Sequence, residues 1–201
     1  MHLERHAWRL GSRLDVLTSC LRDYEESAEL KGADLFHVER IIIQMQIEWE
    51  HFVRAVILDS ATGKYRTQSG PVRSNLPEKV QSREHAGFVL IKQYHKRKHE
   101  PDWYIPYDAI NAAGRLKLTN APRIANELGV TPWELDDLRH LRNFIAHRSG
   151  RSATTVRDVG CVSKSDRIVP SQVCFDFQAG GLRRYEGWAA FMKNVGMRLV
   201  K

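Results

Sequence analysis

The sequence predicts a mainly α-helical protein, in which a bundle of four to five helices is followed by a small C-terminal β-hairpin and a closing helix. Three observations lead to this prediction. Apolar residues recur at helical spacing over long stretches of the chain before Arg151. Glycine and proline residues separate these stretches. After Arg151 the chain becomes rich in residues that favour β-strands.

The two N-terminal helices have the clearest apolar periodicity. A helix is predicted over residues 3–30, because five leucines recur near helical spacing: Leu3, Leu10, Leu14, Leu17 and Leu21. Gly32 is expected to interrupt the helical pattern after it. A stronger helix is predicted from Asp34 to Asp59. Its charges lie opposite an apolar set that includes Phe36, Ile42, Ile43, Ile47, Phe52, Val56 and Ile57.

Helix breakers divide the middle of the chain. Residues 60–77 are predicted to form a loop, because glycine and proline recur there. Three helices follow in this part of the prediction, over residues 78–98, 107–117 and 120–128. Pro101 and Pro106 force the break after the first of these helices, since proline lacks a backbone N–H and clashes with the preceding turn.

The best-marked helix begins near Thr131 and ends before Gly150. Thr131 is suited to capping, Pro132 to the first turn, and Glu134 to returning a hydrogen bond to the cap. One side of this helix is apolar and carries Leu135, Leu138, Leu141 and Ile145.

A hairpin and one more helix are predicted after Arg151. Residues 151–179 favour the hairpin, because residue types that favour strands are frequent there and Val173, Phe175 and Phe177 fall at alternate positions. Residues 182–200 favour the closing helix. We therefore expect one domain over residues 1–201, with core helices at about 34–150 and the segment 151–201 appended.

Composition indicates a cytoplasmic protein with a polyanionic partner. The formal net charge is +7, from 31 Lys and Arg against 24 Asp and Glu, and such an excess favours nucleic acid. No apolar run approaches the roughly 20 residues of a membrane span, and no secretory signal is evident. The three cysteines lack the spacing of a disulfide framework or a zinc site. We expect no metal, no cofactor and no membrane contact.

The segment that ends the best-marked helix carries the candidate chemistry. On a helix, Arg139, Asn143 and His147 share one face, with Arg142 at its flank. Histidine transfers protons near neutral pH, and arginine holds two phosphate oxygens at once. Asn143 is expected to orient His147 or to donate to phosphate. Such a group suits RNA cleavage without a metal, because the 2′-hydroxyl is an internal nucleophile. The alternative is a helix end whose cations only complement its dipole.

Basic residues elsewhere are candidates for RNA binding. Arg139, Arg148 and Arg151 flank the motif, where they would hold the RNA backbone or form a solvated helix end. The densest patch comprises Lys96, Arg97 and Lys98.

The patch at Lys96, Arg97 and Lys98 has two aromatic neighbours. With Trp103 and Tyr104 it would form a phosphate-binding and stacking surface for single-stranded RNA, or else only an exposed helix end.

An acidic residue is also a candidate. Glu48 would support the site by pairing with Arg142 or tuning His147, or would form an ordinary ion pair.

The string Leu141-Arg142-Asn143-Phe144-Ile145-Ala146-His147 resembles the Arg-Asn-x-x-x-His motif of the HEPN superfamily. The resemblance is strongest over residues 133–149 and weaker over 38–58, where Glu48-Trp49-Glu50-His51-Phe52 is similar to the family's acidic and aromatic helix. Within the superfamily, the chain is most similar to the branch named for its association with ribosomal L-PSP.

The resemblance implies a helical bundle that forms a homodimer, with two Arg–His pairs in one composite cleft. It implies a metal-independent endoribonuclease, often a toxin or an anti-phage effector. A toxin would require restraint by an antitoxin, by a sensor protein or by low expression. Arg142 and His147 become the catalytic residues, with Asn143 in support. Ser149 stands where one toxin–antitoxin branch has a modifiable tyrosine, so that form of control has no acceptor at this position.

Two alternatives stay open at this point. One is a catalytically silent HEPN module that binds RNA or a nucleotide. The other is a helical protein-interaction domain in which Arg142 and His147 only pair and cap.

Overall fold

Nine helices and one two-stranded antiparallel sheet make up most of the chain that this computed structural model describes, which is residues 1–27, 30–94, 99–130, 133–163, 166–178 and 180–201. The helices are α1 (Glu4–Glu25), α2 (Gly32–Ala61), α3 (Arg83–Gln93), α4 (Pro106–Arg115), α5 (Ala121–Leu128), α6 (Asp136–His147), α7 (Gly150–Asp158), α8 (Pro170–Phe175) and α9 (Arg184–Val200). The strands are β1 (Tyr65–Thr67) and β2 (Gly70–Val72). The prediction of a mainly helical protein is confirmed.

The two long N-terminal helices form where apolar periodicity predicts them. α1 is shorter than the predicted 3–30 and ends at Glu25. α2 begins at Gly32, which is therefore inside a helix, and continues past Asp59 to Ala61. Its start is stabilised because the Asp34 carboxylate accepts a hydrogen bond of 2.9 Å from the Lys31 backbone N–H.

The predicted loop at residues 60–77 contains a short hairpin, so that prediction is wrong in part. Tyr65 pairs with Val72 and Thr67 with Gly70, which leaves a two-residue connection. Gly70 has φ of 126°, a conformation that glycine adopts readily. Each strand has three residues, too few to show an alternating pattern, and Pro71 in β2 argues against a strand at the level of sequence.

The middle helices agree with prediction apart from their ends. α3 begins at Arg83 rather than at residue 78, because the Ser82 side chain accepts a hydrogen bond from the His85 backbone N–H and caps the helix. The predicted end at residue 98 lies outside the described residues. α4 and α5 each carry proline in the first turn, where its missing N–H costs no hydrogen bond.

The predicted C-terminal hairpin at 151–179 is wrong, since that segment forms α7 and α8. Thr154 and Thr155 direct their hydroxyls to the carbonyls of Gly150 and Arg151, at 3.1 and 3.0 Å. Val156 is fully buried. Burial and local hydrogen bonds therefore outweigh the β preference of this sequence. The closing helix predicted at 182–200 is confirmed as α9.

Contacts divide the chain into two units. The first comprises Met1–Gly11, Trp49–Thr131 and Lys193–Lys201, and the second Ser12–Glu48 and Pro132–Met192. The core of the first includes Leu3, Leu10, Val53, Ile57, Leu90, Ala112, Ile124 and Val195. The core of the second includes Leu14, Leu21, Ile42, Met45, Leu138, Leu141, Val156, Cys174, Trp188 and Met192. Within the described ranges, no helix combines the length and apolarity needed to cross a membrane.

Candidate functional site

The helix that carries the motif, α6, begins later than predicted. Its first residue is Asp136, and Leu135 precedes it without a side-chain cap. The predicted cap at Thr131 and Pro132 lies outside the described residues, and Glu134 is exposed ahead of the helix. Asp136 and Asp137 occupy the first turn, where negative charge stabilises the helix dipole.

Asp137 anchors α6 to α9. Its Oδ1 accepts a hydrogen bond of 2.7 Å from Trp188 Nε1, and its Oδ2 accepts one of 2.9 Å from Arg184 Nη1. The Arg184 side chain is only 14% exposed, and Asp137 is the nearer of the two carboxylates that balance its charge, since Asp176 Oδ2 lies 3.9 Å from Arg184 Nη2. Leu138 and Leu141, also on α6, are buried. These contacts fix the helix that presents the motif.

We expect Asp137→Asn to lower the free energy of unfolding by about 3 kcal/mol, because it removes the nearer carboxylate from the buried Arg184 charge and leaves only Asp176, at 3.9 Å, facing it. The matched control is Asp136→Asn. Asp136 is 45% exposed and pairs with Arg139 within the same helix, so its loss is expected to cost less than about 1 kcal/mol. Urea unfolding measures both values. Equal effects for the two variants would contradict the anchoring role.

Arg142 is half-buried and is held by its neighbour. Its Nη1 donates a hydrogen bond of 3.2 Å to Asn143 Oδ1. Its Nε is buried and has no hydrogen-bond partner among the described residues. Asn143 thus contacts the arginine, which is a different contact from the predicted orientation of His147. Part of the guanidinium's hydrogen-bonding capacity is left for another acceptor.

His147 is the last residue of α6 and is exposed. Its imidazole makes no hydrogen bond or ion pair with any other residue in the described ranges. Arg148 ends the helix in the left-handed conformation, with φ of 46° and ψ of 32°. Ser149 then caps α7 through a reciprocal pair of hydrogen bonds with Ser152. An exposed histidine, a residue type able to transfer protons near neutral pH, therefore lies where α6 ends and α7 begins.

The three cations that flank the motif have different environments. Arg139 donates to Asp136 Oδ1 at 2.9 Å and to His140 Nε2 at 3.0 Å. Burial, and then the Arg139 charge, lower the pKa of His140. Arg148 forms an ion pair with Glu39. Arg151 is exposed, and its guanidinium has no partner within the described part of the chain. Arg151 is therefore the most available of the three for a phosphate.

Glu48 lies in α2 and is 6% exposed. It accepts hydrogen bonds from Arg13 Nη1 at 2.5 Å and from Gln44 Nε2 at 2.8 Å. Its contacts are those of an ordinary ion pair, and they do not include Arg142 or His147 among the described contacts. Glu39, by contrast, contacts the end of the motif helix, because it forms an ion pair with Arg148. Sequence reasoning missed Glu39, because the two residues are 109 positions apart and no local pattern signals the pair.

The basic patch Lys96, Arg97 and Lys98 lies outside the described residues. Of the two alternatives for this patch, stacking on Trp103 is not supported, because that residue is 7% exposed and its Nε1 donates to Glu100 at 2.9 Å. Tyr104 is half-buried.

Two further kinds of candidate site are a metal centre and a reactive cysteine. No group of three or more His, Cys, Asp or Glu side chains there is arranged to hold a metal ion. The three cysteines are free. Burial raises the pKa of Cys161 to about 11, and a thiol protonated at neutral pH is a poor nucleophile.

Comparison of this chain with protein-family models, curated proteins and solved structures finds no match. The resemblance to the HEPN superfamily therefore rests on the motif in α6 and on the weaker similarity in α2.

Proposed function

We propose that this protein is a metal-independent endoribonuclease of HEPN type, in which Arg142 and His147 act on the RNA backbone. One observation carries the proposal. An exposed histidine without a partner among the described residues ends α6, five positions after an arginine that Asn143 holds. The net charge of +7 and the exposed Arg151 favour a polyanionic substrate.

The reaction is a transfer of the phosphodiester within the RNA. The 2′-oxygen of one nucleotide forms a bond to the adjacent phosphorus, and the bond from phosphorus to the 5′-oxygen of the next nucleotide breaks. The proton of the 2′-hydroxyl passes to a base, and the leaving oxygen receives a proton from an acid. The products are a 2′,3′-cyclic phosphate and a 5′-hydroxyl.

Each residue has a distinct role in this step. His147 transfers a proton at the 2′-oxygen or at the leaving oxygen. Arg142 donates hydrogen bonds to the phosphate oxygens as negative charge develops on them. Asn143 positions Arg142. The proposal includes a homodimer, in which the exposed C-terminal ends of two α6 helices form one cleft with two Arg–His pairs, and it requires no cofactor.

The experiment that tests the function is incubation of the purified protein with total RNA in the presence of EDTA. Arg142→Ala and His147→Ala are measured beside it. The matched control is His51→Ala, since His51 is another exposed histidine on a helix and has no proposed role.

Three outcomes of this assay separate the candidate functions. Cleavage that both motif variants abolish and the control retains supports the enzyme. Binding of RNA without cleavage assigns a silent module and rejects the nuclease. Neither binding nor cleavage leaves a protein-interaction domain.

We further propose that the nuclease acts as a toxin or defence effector, restrained by an antitoxin or sensor protein. Induction of the protein in bacteria is therefore expected to slow growth, because uncontrolled RNA cleavage stops protein synthesis, whereas His147→Ala is expected to leave growth unchanged. Optical density after induction measures the effect. Equal growth of the two strains at equal protein levels would reject the toxin role.

A further inference from the structure

An exposed aromatic row lies at the start of α2. Phe36 is 64% exposed, although helical periodicity predicts it on the apolar face. Its ring centroid is 6.4 Å from that of His37, and the His37 centroid is 6.3 Å from that of Tyr24. A hydrogen bond of 3.0 Å joins the Tyr24 hydroxyl to His37 Nδ1. In the row of Tyr24, His37 and Phe36, a hydrogen bond therefore holds the Tyr24 end in place. At the other end the Phe36 ring is exposed.

The start of α2, which carries Phe36 of the aromatic row, is linked to the end of α6 by one ion pair. Glu39 follows Phe36 by three positions, so the two side chains are neighbours on the helix, with Cβ atoms ~5–6 Å apart. Glu39 forms an ion pair with Arg148, the residue directly after His147. This contact places the start of α2 next to the end of α6.

Exposed arginines lie close in sequence to Phe36 and to the motif: Arg40 follows Phe36 by four positions on α2, and Arg151 follows His147 by four positions. Arg40 and Arg151 are exposed, and neither guanidinium has a partner in the described residues. The Arg148 side chain is 46% exposed although it pairs with Glu39. Free positive charge beside an exposed ring is the combination that single-stranded nucleic acid requires, because phosphates need the cations and unpaired bases stack on the ring.

We infer that Phe36 is a base-stacking site for single-stranded RNA, and that it holds a base of the strand whose phosphate reaches Arg142 and His147. The inference rests on the proposed function and adds the substrate class. A base within a duplex is already stacked between its neighbours, so its face is not available to Phe36. Single-stranded segments and loops are therefore the substrates that this surface selects.

The test is binding of a short fluorescein-labelled 2′-O-methyl RNA strand, which lacks the attacking hydroxyl and stays intact. The same strand in a duplex is measured in parallel by fluorescence anisotropy. The variants are Phe36→Ala and Phe36→Tyr. The matched control is Phe88→Ala, since Phe88 lies on α3 and is 65% exposed. Because both phenylalanines are exposed, each variant is expected to keep its fold, and circular dichroism checks this.

We expect Phe36→Ala to weaken single-strand binding about tenfold, while Phe36→Tyr and Phe88→Ala bind as the unchanged protein does. Duplex binding is expected to be the same for all variants. A 2-aminopurine base in the strand is expected to lose its quenching in Phe36→Ala only. Unchanged affinity of Phe36→Ala, an equal loss in Phe88→Ala, or an equal loss on duplex RNA would each overturn the inference.

Two further outcomes separate this inference from the proposed function. Binding that depends on Phe36 in a protein that cuts no RNA would keep the stacking site and reject the nuclease. Cleavage with no contribution from Phe36 would keep the nuclease and reject the stacking site. A change of oligomeric state in Phe36→Ala, seen by sedimentation, would assign the ring to a subunit contact and overturn the inference.

Discussion

His147→Ala is expected to lower the rate of RNA cleavage about 10³-fold, because positioned proton transfer contributes roughly 10²–10⁴ to a rate. The imidazole is exposed and has no partner within the described residues, so its removal leaves no buried group unsatisfied. Stability is therefore expected to stay the same. Single-turnover cleavage of a defined RNA measures the rate, and thermal unfolding measures the stability.

Substitutions of Arg142 test the other catalytic residue of the proposed site. Arg142→Ala is expected to lower the rate by about 10²–10³ through the loss of transition-state charge stabilisation. Arg142→Lys is expected to recover only part of that loss, because an ammonium group does not form the forked pair of hydrogen bonds that guanidinium forms. If Arg142→Lys or His147→Ala cleaved RNA at the full rate, the catalytic role proposed for that residue would be contradicted.

The second large effect concerns stability and a buried carboxylate in the first unit. Asp59, near the end of α2, has a side chain that is 5% exposed. Arg83 donates to both of its oxygens, at 2.9 and 2.5 Å, and His6 Nε2 donates to Oδ2 at 2.9 Å. Asp59→Asn is expected to lower the free energy of unfolding by about 3 kcal/mol, because it leaves the Arg83 guanidinium without the buried carboxylate that it pairs with.

The pH dependence of this effect has a definite sign. Burial alone would raise the pKa of Asp59, but the hydrogen bonds from His6 and Arg83 outweigh it and hold the pKa at about 2, against 3.8 ordinarily. The unfolded chain thus binds the proton more tightly than the folded protein. The stabilisation is fully present above about pH 4 and is lost as pH falls through about 2, with a magnitude of about 2 kcal/mol.

Urea unfolding of the unchanged protein and Asp59→Asn, between about pH 6 and pH 2, measures this dependence. The stability gap between the two is expected to narrow as pH falls. Glu78→Gln is the control, since Glu78 is 59% exposed and forms an ion pair with His85, and such exposed pairs are worth less than about 1 kcal/mol. A gap that stays constant with pH would show that the Asp59 charge does not carry the stabilisation.

The sequence predicts the long helices of this fold well, because burial follows a regular period along α1, α2 and α9. It fails after Arg151 for a physical reason. Thr154 and Thr155 favour strands in general, but their hydroxyls bond to carbonyls one turn earlier in α7. The short strands β1 and β2 show the opposite problem. With three residues each, they depend on pairing that no local pattern reveals.

In the candidate site too, some features follow from local sequence and others depend on contacts between distant residues. The positions of Arg142 and His147 on one helix follow from the spacing in the sequence. The contact of Asn143 with Arg142 and the ion pair of Arg148 with Glu39 depend on side-chain placement and on tertiary structure. Phe36 satisfies the apolar periodicity of α2 and is nevertheless exposed. Periodicity alone does not identify such a residue as available to a ligand.

The central claim is that Arg142 and His147 promote attack by a 2′-hydroxyl, and one measurement tests it most directly. An RNA oligonucleotide that the protein cuts at a mapped position is synthesised again with a single 2′-deoxy nucleotide on the 5′ side of that bond. Cleavage there is expected to stop, while neighbouring sites are still cut to 2′,3′-cyclic phosphate ends. Undiminished cleavage at the deoxy position would contradict the account.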